Sequence, residues 1–192
     1  MRGIELLKIM KDLNKPFFTI ADLEKITRLS RNSLYVTLKR WVANGVLERI
    51  APGIYTAMMS NLSVEKIAAQ LYIPNYISFE SALARQGILN LIPHSLTLAT
   101  TRKTKRYTLK MQDVEFRQIS PVLFFGFEMK SGINIAVPEK AFLDQVYFFS
   151  RGRASLDLDE LNLKSLSSRI LKEYGKRFPV YVQRRVAEIL KR

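Results

Sequence analysis

The chain has 192 residues, 47% of them hydrophobic and 10% aromatic, which is enough apolar material for a core in each of two domains and too much for extended disorder. Lysine and arginine number 31 against 17 acidic residues, and the resulting formal charge of +14 favours a polyanionic partner, nucleic acid first. The absence of cysteine excludes disulfides, thiolate metal sites and cysteine nucleophiles; the richest apolar run, Val122 to Phe127, is far too short to span a bilayer, and no signal-peptide core stands at the amino terminus, so a cytoplasmic protein without membrane insertion is expected.

Ile4, Leu7, Met10 and Leu13 recur at helical spacing, with Leu6 beside them, and predict a first helix that Asn14-Lys15-Pro16 closes before a short extended Phe17-Phe18. Thr19 has the chemistry of an N-cap and Asp22 completes a capping box, so a second helix carrying Ile20, Leu23 and Ile26 runs to about Thr27. Arg28-Leu29-Ser30 leaves room only for a tight turn, after which Ser30 caps a third helix through the N–H of Asn32 or Ser33. Leu34, Leu38, Trp41 and Val42 form its expected inward face, leaving Arg31, Asn32, Tyr35, Val36, Lys39 and Arg40 largely outside it. Asn44-Gly45 stops that helix, and the strands Val46 to Ile50 and Ile54 to Thr56 are joined by Ala51-Pro52-Gly53-Ile54, the residue pattern of a type II turn.

This order is that of a winged helix-turn-helix over residues 1–60, with the third helix for the major groove and the hairpin as a wing along the DNA backbone. Arg31 suits a guanine edge or a phosphate, Asn32 an adenine, and Tyr35 a phosphate or a thymine methyl, while Ser33 and Lys39 share the exposed side of the helix. Arg28 at the turn, Arg40 late in the helix and Arg49 on the hairpin suit phosphates better than bases.

Residues 61–192 are expected to form a second, α+β domain. Asn61-Leu62-Ser63 is a polar junction, Ser63 caps a helix with Val64, Ile67, Ala68 and Leu71 on one face, and Tyr76 to Gly87 reads as an extended entry, a serine cap, a helix and a glycine stop. Leu96 to Thr100, Arg106 to Leu109, Val114 to Ile119, Val122 to Phe127 and Ile133 to Val137 read as strands of an antiparallel sheet, and Pro138 opens a helix with Ala141, Phe142, Val146 and Phe149 that packs on it. Two further helices follow, one with Ile170, Leu171 and Tyr174 and one with Val182, Val186, Ile189 and Leu190, in a region crowded by Lys172, Lys176, Arg177, Arg184, Arg185, Lys191 and Arg192. A second basic stretch, Arg102, Lys103, Lys105 and Arg106, with no acidic residue within it, is expected as a hairpin tip that grips phosphate.

Two segments of this second part, Tyr76-Ile77-Ser78-Phe79-Glu80-Ser81-Ala82-Leu83 with Gly87-Ile88-Leu89, and Ile135-Ala136-Val137-Pro138-Glu139-Lys140-Ala141-Phe142-Leu143-Asp144, together with the winged helix, resemble the AbiEi family of antitoxins, from type IV toxin-antitoxin systems of abortive infection. The resemblance spans most of the chain. It implies an amino-terminal domain that represses its own operon by binding operator DNA, a carboxy-terminal domain needed for antitoxicity, and a nucleotidyltransferase-like toxin as functional partner, without a stable complex being required.

Catalysis has one alternative set of residues. Asp113 followed by Glu128-Met129-Lys130 has the makings of a metal-dependent nuclease site, and a ligand-sensing repressor without a toxin is a further option. Glu139 and Asp144, five apart on one predicted helix, suit cap and salt-bridge roles, His94 suits loop support, and Asp157-Leu158-Asp159-Glu160 reads as a solvated acidic patch. With neither a glycine-rich phosphate loop nor a nucleophile elbow, the expectation is a non-enzymatic protein without a cofactor.

Overall fold

The computed structural model describes residues 1–58, 60 and 62–191; Asn61 of the expected junction and Arg192 of the basic tail lie outside them. The protein is a mixed α/β chain in two compact units, the first Met1–Gln70 with Thr108–Met111, the second Leu71–Tyr107 with Gln112–Arg192. The division therefore falls after Gln70, ten residues beyond the boundary suggested by the polar junction.

In the first unit, helices α1 (Gly3–Leu13), α2 (Ile20–Thr27) and α3 (Arg31–Ala43) alternate with strands β1 (Phe18–Thr19), β2 (Leu47–Ala51) and β3 (Ile54–Ala57), and α4 (Val64–Leu71) follows. The strands form an antiparallel sheet in the order β1-β3-β2. This is the element order of a winged helix-turn-helix.

Local chemistry accounts for each boundary. Asp22 accepts from the Thr19 N–H at 2.9 Å and its own N–H donates to Thr19 Oγ1 at 3.2 Å, a reciprocal capping box that starts α2. Ser30 Oγ accepts from the Ser33 N–H at 3.4 Å and starts α3. At the far end of α3 the Val46 N–H donates to the Trp41 carbonyl at 2.8 Å and the Gly45 N–H to the Val42 carbonyl at 3.1 Å, a Schellman motif that needs the left-handed φ of +66° at Gly45. The wing turns at Pro52-Gly53 with φ +73° at the glycine, as a type II turn requires.

Leu6, Met10, Phe18, Leu23, Leu34, Leu38, Trp41, Leu47 and Tyr55 pack as one core. Full burial of each such leucine stabilises the unit by about 1.5–3 kcal/mol, before the entropy of ordering the chain is set against it. Three expectations of the apolar stripes change here. Ile4, Leu13 and Val42 are exposed, because Leu6 and Met10 turn α1 inward by its other apolar edge and the α3 core closes at Trp41.

The second unit contains β4 (Asn75–Ile77), α5 (Phe79–Arg85), β5 (Ser95–Thr100), β6 (Lys105–Leu109), β7 (Gln112–Gln118), β8 (Phe127–Lys130), β9 (Ile133–Ala136), α6 (Pro138–Phe149), α7 (Ser168–Gly175) and α8 (Val180–Ile189). The sheet runs β6-β7-β5-β4-β9-β8. Antiparallel pairing is present at β4–β5 and β8–β9, and parallel pairing at β5–β7 and β4–β9 makes the whole sheet mixed. The parallel step arises because the chain leaves β5, lays β6 at the sheet edge and returns through Lys110-Met111, both with positive φ, so that β7 lies between β5 and β6.

Helix α6 is buried on every face from Glu139 to Phe148, the pattern of a central core helix, and packs against α5, α7 and α8. Pro138 occupies its first turn, where a missing N–H costs nothing. The expected strand Val122 to Phe127 is instead a 3-10 turn at Pro121–Leu123 followed by irregular chain, with β8 beginning only at Phe127. Gly126, at φ +71°, breaks that run, and Phe124 and Phe125 point their rings into different aromatic clusters, the first on Tyr76 and Phe127, the second on Tyr174 and Phe178. Leu190, expected inside, is exposed.

Candidate nucleic-acid interface

The third helix separates its residues cleanly. Leu34, Leu38 and Trp41 are no more than 3% exposed, while Arg31, Asn32, Ser33, Tyr35, Val36, Lys39 and Arg40 are all exposed. Ser33 is partly engaged in the cap, its hydroxyl accepting from Ser30 Oγ at 3.0 Å. Arg49 is exposed on β2 of the wing, and a groove of about 470 Å³ runs between wing and helix, lined by Tyr35, Lys39, Val42, Ala43, Arg49 and Gly53 with Leu38 and Tyr55 beneath. Three residues proposed from the sequence, Tyr35, Lys39 and Arg49, thus meet across one cleft.

Arg28 closes α2 in a left-handed conformation, φ +56°, with its N–H on the Glu24 carbonyl at 2.8 Å and its side chain exposed beside the start of α3. Arg31 lies 3.8 Å from Glu24, a loose pair with the arginine 69% exposed. The neighbouring Tyr35 hydroxyl, and then the Glu24 carboxylate, raise its guanidinium above its usual range, so it is cationic at any working pH. Asn32, Lys39, Arg40 and Arg49 have no side-chain partner among the described residues, which leaves their donors available to a ligand.

The basic stretch of the second unit departs from its expected form. Residues 101–104 connect β5 to β6, and since β7 lies between those strands the stretch is a crossover connection rather than a hairpin tip. Arg106 is not free: its Nη2 and Nε both donate to Glu115 Oε1, at 2.7 and 2.9 Å, and Glu115 in turn joins Arg117, which pairs with Glu80 at 2.8 Å. The sequence hid this because Glu115 belongs to the neighbouring strand. Arg102 stacks over the Tyr72 ring at 4.2 Å and Lys105 over Tyr107 at 4.8 Å, while Lys103 projects into solvent; all three remain exposed cations.

Asp113, Glu128 and Lys130 do not form a site. Asp113 is on β7 and the other two on β8, four strand spacings apart in the sheet order, which at about 4.8 Å each is on the order of 19 Å. Glu128 and Lys130 pair with each other at 3.5 Å on the exposed edge. Among the described residues no three histidine, aspartate or glutamate side chains converge as a metal site requires, the acidic Asp157 to Glu160 stretch included, and His94 is exposed.

The two segments that carry the resemblance meet in a buried polar cluster that the sequence reading did not foresee. Tyr76 and Ser78 donate to Asp144 Oδ2 at 2.9 and 2.8 Å, Lys140 donates to the Tyr76 oxygen at 2.8 Å, and Lys140 and Asp144 form a fully buried ion pair one helical turn apart. Burial, then the Asp144 charge and the hydrogen bond to it, hold the Tyr76 phenol well above its usual range, so it stays protonated and donates. Burial also pulls the Lys140 ammonium below its ordinary value against the attraction of Asp144, and the rings of Tyr76, Phe125 and Phe178 lie 5.1–5.3 Å from its nitrogen. Ser78, expected to cap α5, gives its hydroxyl to Asp144 instead. Glu139 accepts the Ser167 N–H at 2.8 Å before α7, so Glu139 and Asp144 serve a cap and a salt bridge respectively. Tyr76, Ser78, Lys140 and Asp144 are all fully buried, and the geometry of the cluster is that of a core fastening.

No family model and no curated protein matches the chain. Among the described residues no helix is long and apolar enough to cross a membrane.

Proposed function

We propose that this protein is a DNA-binding transcriptional repressor that reads duplex operator DNA through α3 and the wing, and that it is an antitoxin of the AbiEi kind, acting in the cytoplasm. One observation carries the DNA reading: Arg31, Asn32, Lys39 and Arg40 of α3 are solvent-exposed while Leu34, Leu38 and Trp41 are buried, and Arg49 of the wing lines one groove with Lys39. An amide and guanidinium groups on a helix of this kind match base edges and phosphates, and the +14 charge supplies the long-range attraction. Arg102, Lys103 and Lys105 add phosphate contacts from the second unit in this reading.

The antitoxin half rests on the resemblance of the Tyr76 to Leu89 and Ile135 to Asp144 segments. Residues of both segments, Tyr76, Ser78, Lys140 and Asp144, join in one buried cluster. The test has two arms: binding of the full chain to the duplex upstream of its own reading frame against a scrambled duplex, and growth of cells expressing the adjacent reading frame with and without this chain. Tight binding to the upstream duplex alone supports the repressor, and rescue from a nucleotidyltransferase-like toxin supports the antitoxin. Equal binding to both duplexes refutes sequence-specific repression, and failure to rescue refutes antitoxicity.

A further inference from the structure

We infer that Val36 is a specificity residue of the α3 face and reads the 5-methyl group of a thymine, an inference that rests on the DNA-binding reading above. Val36 is 72% exposed in the middle of α3. A β-branched residue there lowers helix propensity, and no intramolecular packing compensates.

Its direction is specific. At about 100° per residue, the inward side set by Leu34, Leu38 and Trp41 lies opposite a line shared by Asn32, Val36 and Ala43, so Val36 points almost directly away from the core. Tyr35, 44% exposed, and Val42, 38% exposed, stand about 100° and about 120° from Val36 round the helix and line the wing groove. Lys39 and Arg40 lie about 60° and about 40° to either side of Val36 round the helix, cations that draw this face toward a phosphate-lined groove and that an apolar protein surface would leave unpaired. In the major groove of duplex DNA the thymine methyl is the apolar feature such a side chain meets.

Asn32 and Val36 are four residues apart on one line of α3, a rise of about 6 Å, so the thymine stands close to the base that Asn32 would contact.

The experiment selects bound duplexes from a random pool with the full chain, then measures affinities of the unchanged protein and of Val36→Ala for the selected duplex and for versions in which single thymines are replaced by deoxyuridine. At one thymine, beside the base whose discrimination is lost in Asn32→Ala, removing the methyl is expected to weaken the unchanged protein about three- to five-fold and to leave Val36→Ala unaffected. The same response of both proteins at every thymine overturns the inference while leaving DNA recognition intact. Selection of no duplex overturns the DNA reading and the inference together. A Val36→Ala protein with unaltered DNA affinities that no longer binds a co-expressed partner protein also overturns it, in favour of a protein contact. The deoxyuridine arm changes only the DNA, so its result does not depend on the variant folding.

Discussion

Tyr76 and Asp144 stand 68 positions apart in the sequence, and the phenol of one donates to the carboxylate of the other at 2.9 Å inside the second unit. With Lys140 and Ser78 they fasten β4 to α6, the central helix. Removing one member strands the rest. Asp144→Ala leaves the buried Lys140 ammonium without its counter-charge and the Tyr76 and Ser78 hydroxyls without their acceptor, and we expect a loss of about 3–5 kcal/mol in urea unfolding of the full chain. Lys140→Met is expected to cost as much alone, while Lys140→Met with Asp144→Ala loses less than the sum of the two singles. Additive losses would mean that the pair is not coupled.

Gly126 gives a second stability test. A Cβ there would stand 3.0 Å from Lys140 Cγ and 3.0 Å from Tyr174 Cε2, on a backbone with φ +71°. At Gly87, φ +69°, a Cβ meets nothing within 4 Å. Gly126→Ala is therefore expected to lower thermal stability by more than Gly87→Ala, since the first adds a steric conflict to the backbone strain of about 1–3 kcal/mol that both carry. Equal shifts in melting temperature would show that the neighbours of Gly126 yield freely.

Glu115 makes part of the stability pH-dependent. Burial pushes its carboxyl up, but the hydrogen bonds and charges of Arg106 and Arg117 together outweigh burial and hold it below the usual carboxylate range. A carboxyl depressed in the folded state contributes stability that is complete above its unfolded value, about 4.3, and is lost as the pH falls through the lower folded value. Glu115→Gln, which has no proton to gain, should be less stable than the unchanged protein at pH 7 and lose less stability between pH 5 and pH 3. Parallel pH profiles of the urea midpoint for the two proteins would refute this.

Much of the first unit was legible in the sequence because its signals are local. Thr19 with Asp22, Ser30 with Ser33 and Gly45 after Asn44 each act within four residues, and the structure has each cap where the residue chemistry puts it. What the sequence concealed was non-local. Glu115 neutralises Arg106 across a strand pair, β7 lies between β5 and β6, and Asp113 and Glu128 are near enough in sequence to suggest a pair yet lie on distant strands. The stripes of α1 and α3 that pack are one edge narrower than the helical period allows, since Ile4, Leu13 and Val42 fit that period as well as the residues that pack. The outward position of Val36 was legible; its 72% exposure needed the fold.

The basic connection between β5 and β6 divides into engaged and available charge. Lys103→Ala is expected to reduce the slope of log affinity for DNA against log salt by about 0.9, the value for one phosphate contact. Arg106→Ala, whose guanidinium is already held by Glu115, is expected to leave that slope unchanged. The reverse pattern would mean that the Arg106–Glu115 pair opens on DNA and that Lys103 does not touch it.

Fluorescence anisotropy of the full chain on its upstream duplex and on a scrambled duplex of equal length, with Asn32→Ala and Arg49→Ala alongside, tests the α3 face most directly. Asn32→Ala should weaken the upstream duplex by about 1–3 kcal/mol and leave the scrambled one alone, while Arg49→Ala weakens both alike. Identical affinities of all three proteins for both duplexes, insensitive to salt, would contradict the assignment of this face to DNA.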